Sequence, residues 1–393
     1  MRGRRARAWM AVSLILVLFS LLLTGCWDNR ELEERTSVVA LAVDREQSQD
    51  TDAKMVKVAV QIPIPIKIAG SGGGSAGEGG KNAVKVMSAT GESMADALRQ
   101  LQQQLNQELF YGHTRVIAVS QDIAEEDMAG IIDAIRRTPQ MRRLLWLLVT
   151  PGPAVDLLNS DPKLEQIPIV YVMDLIENGS KQGRIPDITL GHWFIDRSST
   201  GVEPIANLIE PDKQDVKWEG LAMFHDDKMV GTLNEQESWV LMNLREEQTG
   251  GNITIVSPII PKKKNHTDYI TVHPKKVHTK TRVTPDGDTF RMTAQVELEV
   301  DVIESMGALN FTDEVTFRSV EKALTDEMNK RAKHLVEKVQ KQYKVDVFSL
   351  GDKVRARCYD RFEQIPNWSE VFPKTKIDVK YSVLIRRVGM KMH

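Results

Sequence analysis

The chain has 393 residues, and 41% of them are hydrophobic, which is enough for two or three domains with their own cores. Its formal net charge is −2. Residues 1–25 carry four arginines and no acidic residue, so the rest of the chain has a net charge of about −6. This charge balance argues against general nucleic-acid binding, which requires a basic surface.

The first 26 residues have the pattern of an exported protein that is modified with lipid. Four arginines precede an apolar run at residues 8–23, and small residues stand directly before Cys26. A basic start, a short apolar core and a small-residue cleavage site are typical of a secretory signal peptide. The sequence Leu-Thr-Gly-Cys at 23–26 resembles a bacterial lipobox, in which the thiol receives a diacylglyceryl group. We therefore predict a signal peptide at 1–25 and lipidation of Cys26.

Two other interpretations of this segment are an uncleaved transmembrane anchor and an ordinary signal peptide with a chance cysteine. The apolar run is at the short end for a span of ~20 residues, which disfavours the anchor. No later apolar run approaches that length. If Cys26 carries lipid, Cys358 has no partner, so neither an internal disulfide nor a cysteine-based zinc site is expected. We expect a soluble mature part tethered by one end.

The next segment alternates between strand patterns and a glycine-rich interruption. β-Branched and apolar residues predict strands at 36–44, 54–66 and 83–90. Residues 69–80 are too rich in glycine for regular structure. They lack the Gly-Lys-Ser/Thr ending of a phosphate-binding loop, so we interpret them as a hairpin insertion.

Residues 93–150 alternate between helical and strand periodicity. Ser93 is predicted to cap a helix whose apolar positions run to Leu109, and Asp122 a second helix that ends near Pro139. Strands are predicted at 115–120 and 143–150. This alternation is typical of crossover units, so we expect some parallel pairing.

The second half has hairpin patterns followed by a long helix. A hairpin at 219–233 is predicted to turn at Asp226-Asp227-Lys228 and to lead into a helix at 235–245. Alternating residues predict strands at 252–256, 268–283 and 289–303, with a turn at Asp286-Gly287 between the last two. A helix is predicted from about 312 to 343, a shorter one from 351 to 362, and a final strand at 377–385.

These elements predict an α+β protein of several domains, with mixed and antiparallel sheets packed against helices and a lipid anchor after signal-peptide removal. The predicted domains are an α/β-type domain at 26–205 with the insertion at 69–80, a mainly β domain at 206–305, and a domain at 306–393 that contains the long helix and the last strand.

The sequence predicts no catalytic, cofactor-binding or metal-binding residues. The histidines lack metal-site spacing. The one Gly-x-Ser-x-Gly match, at 73–77, lies in the glycine-rich segment and not at the strand-to-helix turn that a serine nucleophile elbow requires. His113 is interpreted as a turn residue, Asp226 and Asp227 as turn formers, and Cys358 as a buried thiol. The basic stretch 262–282 is compatible with anionic lipid headgroups, but a solvated face is the favoured interpretation.

Several short motifs occur in a particular order along the chain. They are Gly25-Cys26-Trp27-Asp28 with Glu31, Val38 to Asp44, Gly91 to Leu98, Tyr111-Gly112-His113, Ala124, Arg136-Arg137, Gly220 to Phe224, Lys228 to Leu233, Asp346 to Gly351, and Trp368 to Phe372. In this order and spacing the sequence resembles the Ger(x)C spore germination lipoproteins, the C subunits of nutrient germinant receptors. The insertion at 69–80 departs from the compact core of that family.

The resemblance implies three α+β domains, a lipid anchor on the outer face of the spore inner membrane, and a complex with the membrane-embedded A and B receptor subunits. It implies no catalytic residues. Only Cys26 carries over with a chemical role, because Trp27 and Asp28 match the motif without an assigned function. The predicted function is a non-enzymatic receptor subunit required for the germination response to nutrients.

Two other functional classes remain for comparison. A lipid-anchored substrate-binding protein of a membrane importer usually has two similar lobes around a cleft, whereas the two halves of this sequence differ in pattern. An exported hydrolase would need a catalytic triad or a metal set, and the sequence has no signature of either.

Overall fold

The computed structural model describes residues 35–47, 54–64, 83–212, 215–259, 267–306 and 309–388, together with residues 3, 9, 10 and 13. Cys26, the surrounding lipobox and the glycine-rich segment 69–80 lie outside these ranges. Across the described residues, no helix combines the length and apolar character needed to cross a bilayer.

The amino-terminal half is built on a mixed sheet of eight strands. The first ten strands of the described chain are β1 Arg35–Ser37, β2 Ala40–Gln47, β3 Lys54–Pro63, β4 Val84–Gly91, β5 Glu108–Phe110, β6 Val116–Ser120, β7 Trp146–Thr150, β8 Ile205–Pro211, β9 Val216–His225 and β10 Lys228–Asn234. The large sheet has the order β10-β9-β8-β7-β6-β2-β3-β4, and β1 pairs with β5 separately. The central pairs β2–β6, β6–β7 and β7–β8 are parallel, as the alternating pattern predicted.

Helices cover both faces of this sheet. They are α1 Met94–Gln102, α2 Gln121–Glu126, α3 Ala129–Arg136, α4 Val155–Asn159, α5 Pro168–Lys181 and α6 Leu190–Ser198, followed after β10 by α7 Glu235–Arg245. Ile117 and Val119 point to the face covered by α1, α2, α3 and α6. Ala118 and Leu148 point to the face covered by α4 and α5. Both faces are therefore apolar, as expected for a largely parallel sheet.

Two helix predictions in this half were wrong in extent. The helix that begins after Ser93 ends at Gln102, and Leu109 lies in β5 instead of continuing the helical face. The helix predicted from Asp122 to Pro139 is two helices, because Asp127 caps Ala129 with its carboxylate and breaks the run.

The carboxy-terminal half is built on a mixed sheet of four strands. These are β11 Ile253–Val256, β12 Tyr269–Asp286, β13 Thr289–Ser305 and β14 Lys376–Arg387, in that order across the sheet. The strand predicted at 289–303 is confirmed as β13, and its alternate residues from Phe290 to Val302 form one buried face. The last strand, β14, pairs with β13 in parallel.

The long helix α8, Glu314–Glu337, packs on the inner face of this sheet and continues as a π-helical stretch, Lys338–Tyr343. The short helices α9 Leu350–Arg357, α10 Tyr359–Phe362 and α11 Trp368–Val371 then lead to β14. The fold is thus α+β with mixed sheets, as predicted.

The sheets do not follow the positions at which domain boundaries were predicted. Strand β8 crosses the boundary predicted at residue 205, and β9 and β10 lie beyond it, yet all three belong to the large sheet. Strand β14 lies beyond residue 305 but belongs to the same sheet as β11, β12 and β13. One apolar core also joins Leu221 and Leu233 of the large sheet to the small sheet and α8. The division into three domains therefore stays a prediction.

Candidate functional site

The only site residue with a predicted chemical role, Cys26, lies outside the described residues together with Trp27 and Asp28. Its lipidation stays a prediction. The described residues include most of the other motifs, and they form two notable features: a polar junction between the two sheets, and a groove beside the last strand.

The junction is centred on Asp346, whose side chain is only 2% exposed. Its carboxylate accepts hydrogen bonds from the backbone N–H groups of Phe348, Leu350 and Gly351 at 3.0, 3.1 and 2.8 Å, and from Trp368 Nε1 at 2.8 Å. Burial raises the pKa of Asp346 to about 6, and the four hydrogen bonds oppose that rise. The motifs Asp346–Gly351 and Trp368–Phe372 are therefore one structural unit.

The backbone that connects α6 to β8 docks directly on this unit. The Glu203 N–H donates to Asp346 O at 2.8 Å, and the Asp352 N–H donates to Gly201 O at 3.2 Å. A Cβ at Gly351 would lie 2.5 Å from Gly201 Cα, which is closer than a side chain tolerates. Glycine at both positions allows the two backbones to meet.

A polar cleft of about 350 Å³ lies next to the junction. Arg197 makes two hydrogen bonds of 3.0 Å to the Asp227 carboxylate. Glu203 accepts hydrogen bonds from His225 Nδ1 at 2.8 Å and from the Asp226 N–H at 3.0 Å, and burial raises the pKa of Glu203. These pairs connect the β9–β10 turn to the rest of the fold, so Arg197, Glu203 and His225 have partners within the protein.

The other residues considered in the sequence, Asp226, His113 and Cys358, have contacts that fit structural roles. Asp226 occupies the left-handed region with φ 55° at the predicted turn. His113 is exposed in its turn, with Nδ1 3.3 Å from Ser37 Oγ and its ring edge-on to Phe110. Cys358 is partly buried between α9 and α10 against the small-sheet core. Among the described residues, no group of three or more histidine, cysteine, aspartate or glutamate side chains is placed to hold a metal ion.

The groove beside β14 was not predicted, and it depends on how α8 protects the edge of the small sheet. Glu321, Thr325 and Asn329, four residues apart on α8, accept hydrogen bonds from alternate backbone N–H groups of β14. The donors are the N–H groups of Ile385, Val383 and Tyr381, at 2.9, 3.1 and 2.9 Å. The sequence does contain a sign of this arrangement, because polar residues recur every four positions along α8. The sequence analysis missed it because the apolar residues of α8 dominate the helical pattern.

The hydrogen bonds from α8 do not extend to the first residues of β14. The groove of about 460 Å³ lies between the carboxyl-terminal end of α8 and the first residues of β14. Its floor is apolar and includes Ala332, Val336, Ile377 and Val379. The basic stretch predicted as a solvated face continues nearby on β12, where Lys276 and Lys280 are exposed on the outer face of the sheet.

Comparisons with known proteins identify relatives along nearly the whole chain. A family model described as the spore germination protein N-terminal domain matches residues 28–211. A second, described as spore germination B3/GerAC like, C-terminal, matches residues 219–389. Together they leave unmatched only the short segment between them and the two ends of the sequence.

Individual proteins agree with this match. The chain is 24% identical over 383 residues to the putative spore germination protein YfkR of Bacillus subtilis (strain 168), which covers 95% of each chain. It is 24% identical over 416 residues to spore germination protein KC of the same organism, covering 97% and 96%. The crystal structure of the GerBC protein superposes with a TM-score of 0.52 at 16% identity over 91% of this chain and 99% of that one, which shows a shared fold.

Proposed function

The chain belongs to the Ger(x)C family of spore germination proteins, and from that premise we propose that it is the lipoprotein C subunit of a germinant receptor. In this proposal an acylated Cys26 holds the protein at the outer face of the spore inner membrane. The protein works there by contact with the membrane-embedded A and B subunits, without catalysis, and the germination response to nutrients requires it.

The single observation that supports this proposal is the position of the family match. It begins at residue 28, two residues after Cys26, and extends to residue 389. The family region therefore starts where the lipobox predicts that the mature chain starts. What remains ahead of it has the composition of a signal peptide.

Tethering explains how modest protein contacts would suffice. Each buried methylene of an acyl chain contributes ~0.8 kcal/mol of membrane affinity, and two or more chains anchor a protein stably. Confinement to a layer beside the bilayer then raises the effective concentration of the protein for an embedded partner, so overall binding can exceed that of the free protein by ~10²–10⁴.

Metabolic labelling with a fatty acid tests the anchor. Label is expected in the native protein and not in a Cys26→Ser variant, with Cys358→Ser as the matched control that should label normally. Label that persists in Cys26→Ser, or that never enters the native protein, contradicts the anchor.

A pull-down from detergent-solubilised spore membranes tests the partners. A tagged native protein is expected to recover membrane-embedded receptor subunits. Recovery of an importer instead, or a gene deletion that impairs uptake in growing cells but leaves the nutrient response of spores intact, would overturn the receptor assignment.

A further inference from the structure

We propose that the open part of the β14 edge is a docking site for an extended, acidic and apolar segment of another polypeptide, which would add to the small sheet as a fifth strand. The proposal concerns a surface for which the receptor assignment gives no role, and it can be tested on the purified protein whether or not that assignment holds.

Alternate backbone N–H groups at the start of β14 point away from the sheet. Every second N–H of a strand points to the same side. The N–H groups of Tyr381, Val383 and Ile385 point away from β13 and towards α8. Those of Ile377 and Val379 therefore point to the same side, into the groove.

The side chains of α8 do not offer hydrogen-bond acceptors to the N–H groups of Ile377 and Val379, and the reason is chemical. The acceptors on α8 recur every four residues up to Asn329, and the next position in the series is Lys333. An ammonium group has donors and no acceptor, so Lys333 cannot receive the Val379 N–H. One further turn along, Glu337 is paired with Lys341 at 3.8 Å. Two residues of the edge thus lie open beside an apolar floor.

The backbone of the helix also changes at the groove. The π-helical stretch Lys338–Tyr343 follows α8 directly, and π-helical turns are rare and frequently occur at functional sites. Gln340 in this stretch donates to the carbonyl oxygens of Phe372 and Thr375 at 2.9 and 2.6 Å. The end of the groove is therefore fixed to the chain that enters β14, which makes it a preformed surface.

The unpaired positive charges beside the groove favour an acidic segment as the bound polypeptide. The acidic groups of the rim are already paired, Glu337 with Lys341 and Asp378 with Arg291. Lys333 and Lys380 line the groove and have no carboxylate partner within the described part of the chain. An added strand that alternates apolar and acidic residues would place the apolar ones over Ala332 and Val336 and the acidic ones beside the lysines.

The same charges disfavour a second copy of this chain as the occupant. β14 carries four basic residues, Lys376, Lys380, Arg386 and Arg387, against one acidic residue, Asp378. Pairing two such edges would set like charges opposite one another, which is destabilising. The occupant that fits is therefore a different polypeptide with the opposite charge, bound by strand addition.

The test uses the purified full-length protein in detergent and three labelled peptides of eight residues. One alternates valine and glutamate, one alternates valine and lysine, and the third is the glutamate peptide with a central proline. We expect the glutamate peptide to bind at least tenfold more tightly by fluorescence anisotropy. It should also slow amide hydrogen exchange at Ile377 and Val379. A glutamate peptide with a central proline should bind at least tenfold more weakly, because it cannot complete the ladder.

Variants that reverse the charge of two lysines provide the matched comparison. Lys333→Glu combined with Lys380→Glu should reverse the preference, whereas Lys163→Glu combined with Lys181→Glu makes the same change in charge on exposed residues of the large-sheet half and should leave it unchanged. Failure of the glutamate peptide to bind, equal binding of both peptides, or binding that leaves exchange at Ile377 and Val379 unaltered would overturn the proposal.

Discussion

Asp346 is surrounded by four hydrogen-bond donors, and all four are neutral backbone or indole N–H groups. Neutral donors only partly replace the hydration that a carboxylate loses on burial, which is why the pKa of Asp346 rises. In exchange, one side chain fixes the turn before α9 and the position of Trp368. Sequence reasoning recognised these residues by their order, but the burial and the shared hydrogen bonds required the fold.

This residue predicts a specific pH dependence. The pKa of Asp346 is about 6 in the folded protein, against the ordinary aspartate value of 3.8 that applies to the unfolded chain. Its protonation therefore stabilises the folded state fully below pH 3.8, and that stability is lost as the pH rises through 6. The free energy of unfolding of the native protein, minus that of Asp346→Asn, should increase by up to about 3 kcal/mol from pH 7 to pH 4. Urea unfolding at each pH measures it, and a flat or falling difference contradicts it.

The glycine contact at the junction gives a second prediction at this scale. A methyl group at Gly351 would overlap the backbone of Gly201, so Gly351→Ala should lower the free energy of unfolding by about 1–3 kcal/mol. Gly130 in α3 has open space around its Cβ position, and Gly130→Ala should be neutral or stabilise by up to ~1 kcal/mol. Equal effects of the two variants in urea unfolding would show that the close approach is unimportant.

At the scale of elements, the sequence predicted helices and strands correctly where residues close in sequence determine them. Helix α7 has the predicted bounds because Asn234 and Glu237 form a reciprocal capping box at its start. β13 forms where alternating residues predicted a strand, because its apolar residues, two apart, all face the core. The helix after Ser93 was overextended because Leu109 keeps the helical period while pairing in β5 with β1, which lies some 70 residues earlier.

The parallel pairing of β13 with β14 could not be predicted from local sequence patterns either, because the two strands are far apart in the sequence. About 70 residues separate the two strands, and their alternation alone does not determine direction. The groove depends on this pairing, since it makes β14 the edge of the sheet. A polar stripe on α8 becomes meaningful only once the strand beside it is known.

The edge protection predicts a stability effect for a single hydroxyl. Thr325→Val removes the acceptor of the Val383 N–H while preserving the side-chain shape, and should cost about 1–3 kcal/mol because a partly buried donor is left unpaired. Exchange of the Val383 amide should become faster. Ser319→Ala on the exposed side of α8, where the hydroxyl bonds only to its own helix, should stay within about 0.5 kcal/mol. An unchanged Val383 exchange rate would contradict the role of Thr325.

For the whole molecule, the α+β class and the mixed sheets were predictable, because helical and strand periods are local. The grouping of strands into sheets was not, because β8–β10 return to the large sheet and β14 returns to the small one. The continuous core through Leu221, Leu233 and α8, together with the Asp346 junction, joins the halves firmly.

If Cys26 is acylated as proposed and the lipid serves as a tether, a different membrane anchor should replace it. Cys26→Ser should lose most of the germination response at normal protein levels, because the effective concentration beside the membrane falls by orders of magnitude. Replacing residues 1–26 with an uncleaved transmembrane helix should restore the response, since it holds the same domains at the same surface. Germination rates of spores carrying each version measure this. A fully active Cys26→Ser protein, or a membrane-anchored version that remains inactive although folded and abundant, would show that tethering alone is not the role of the lipid.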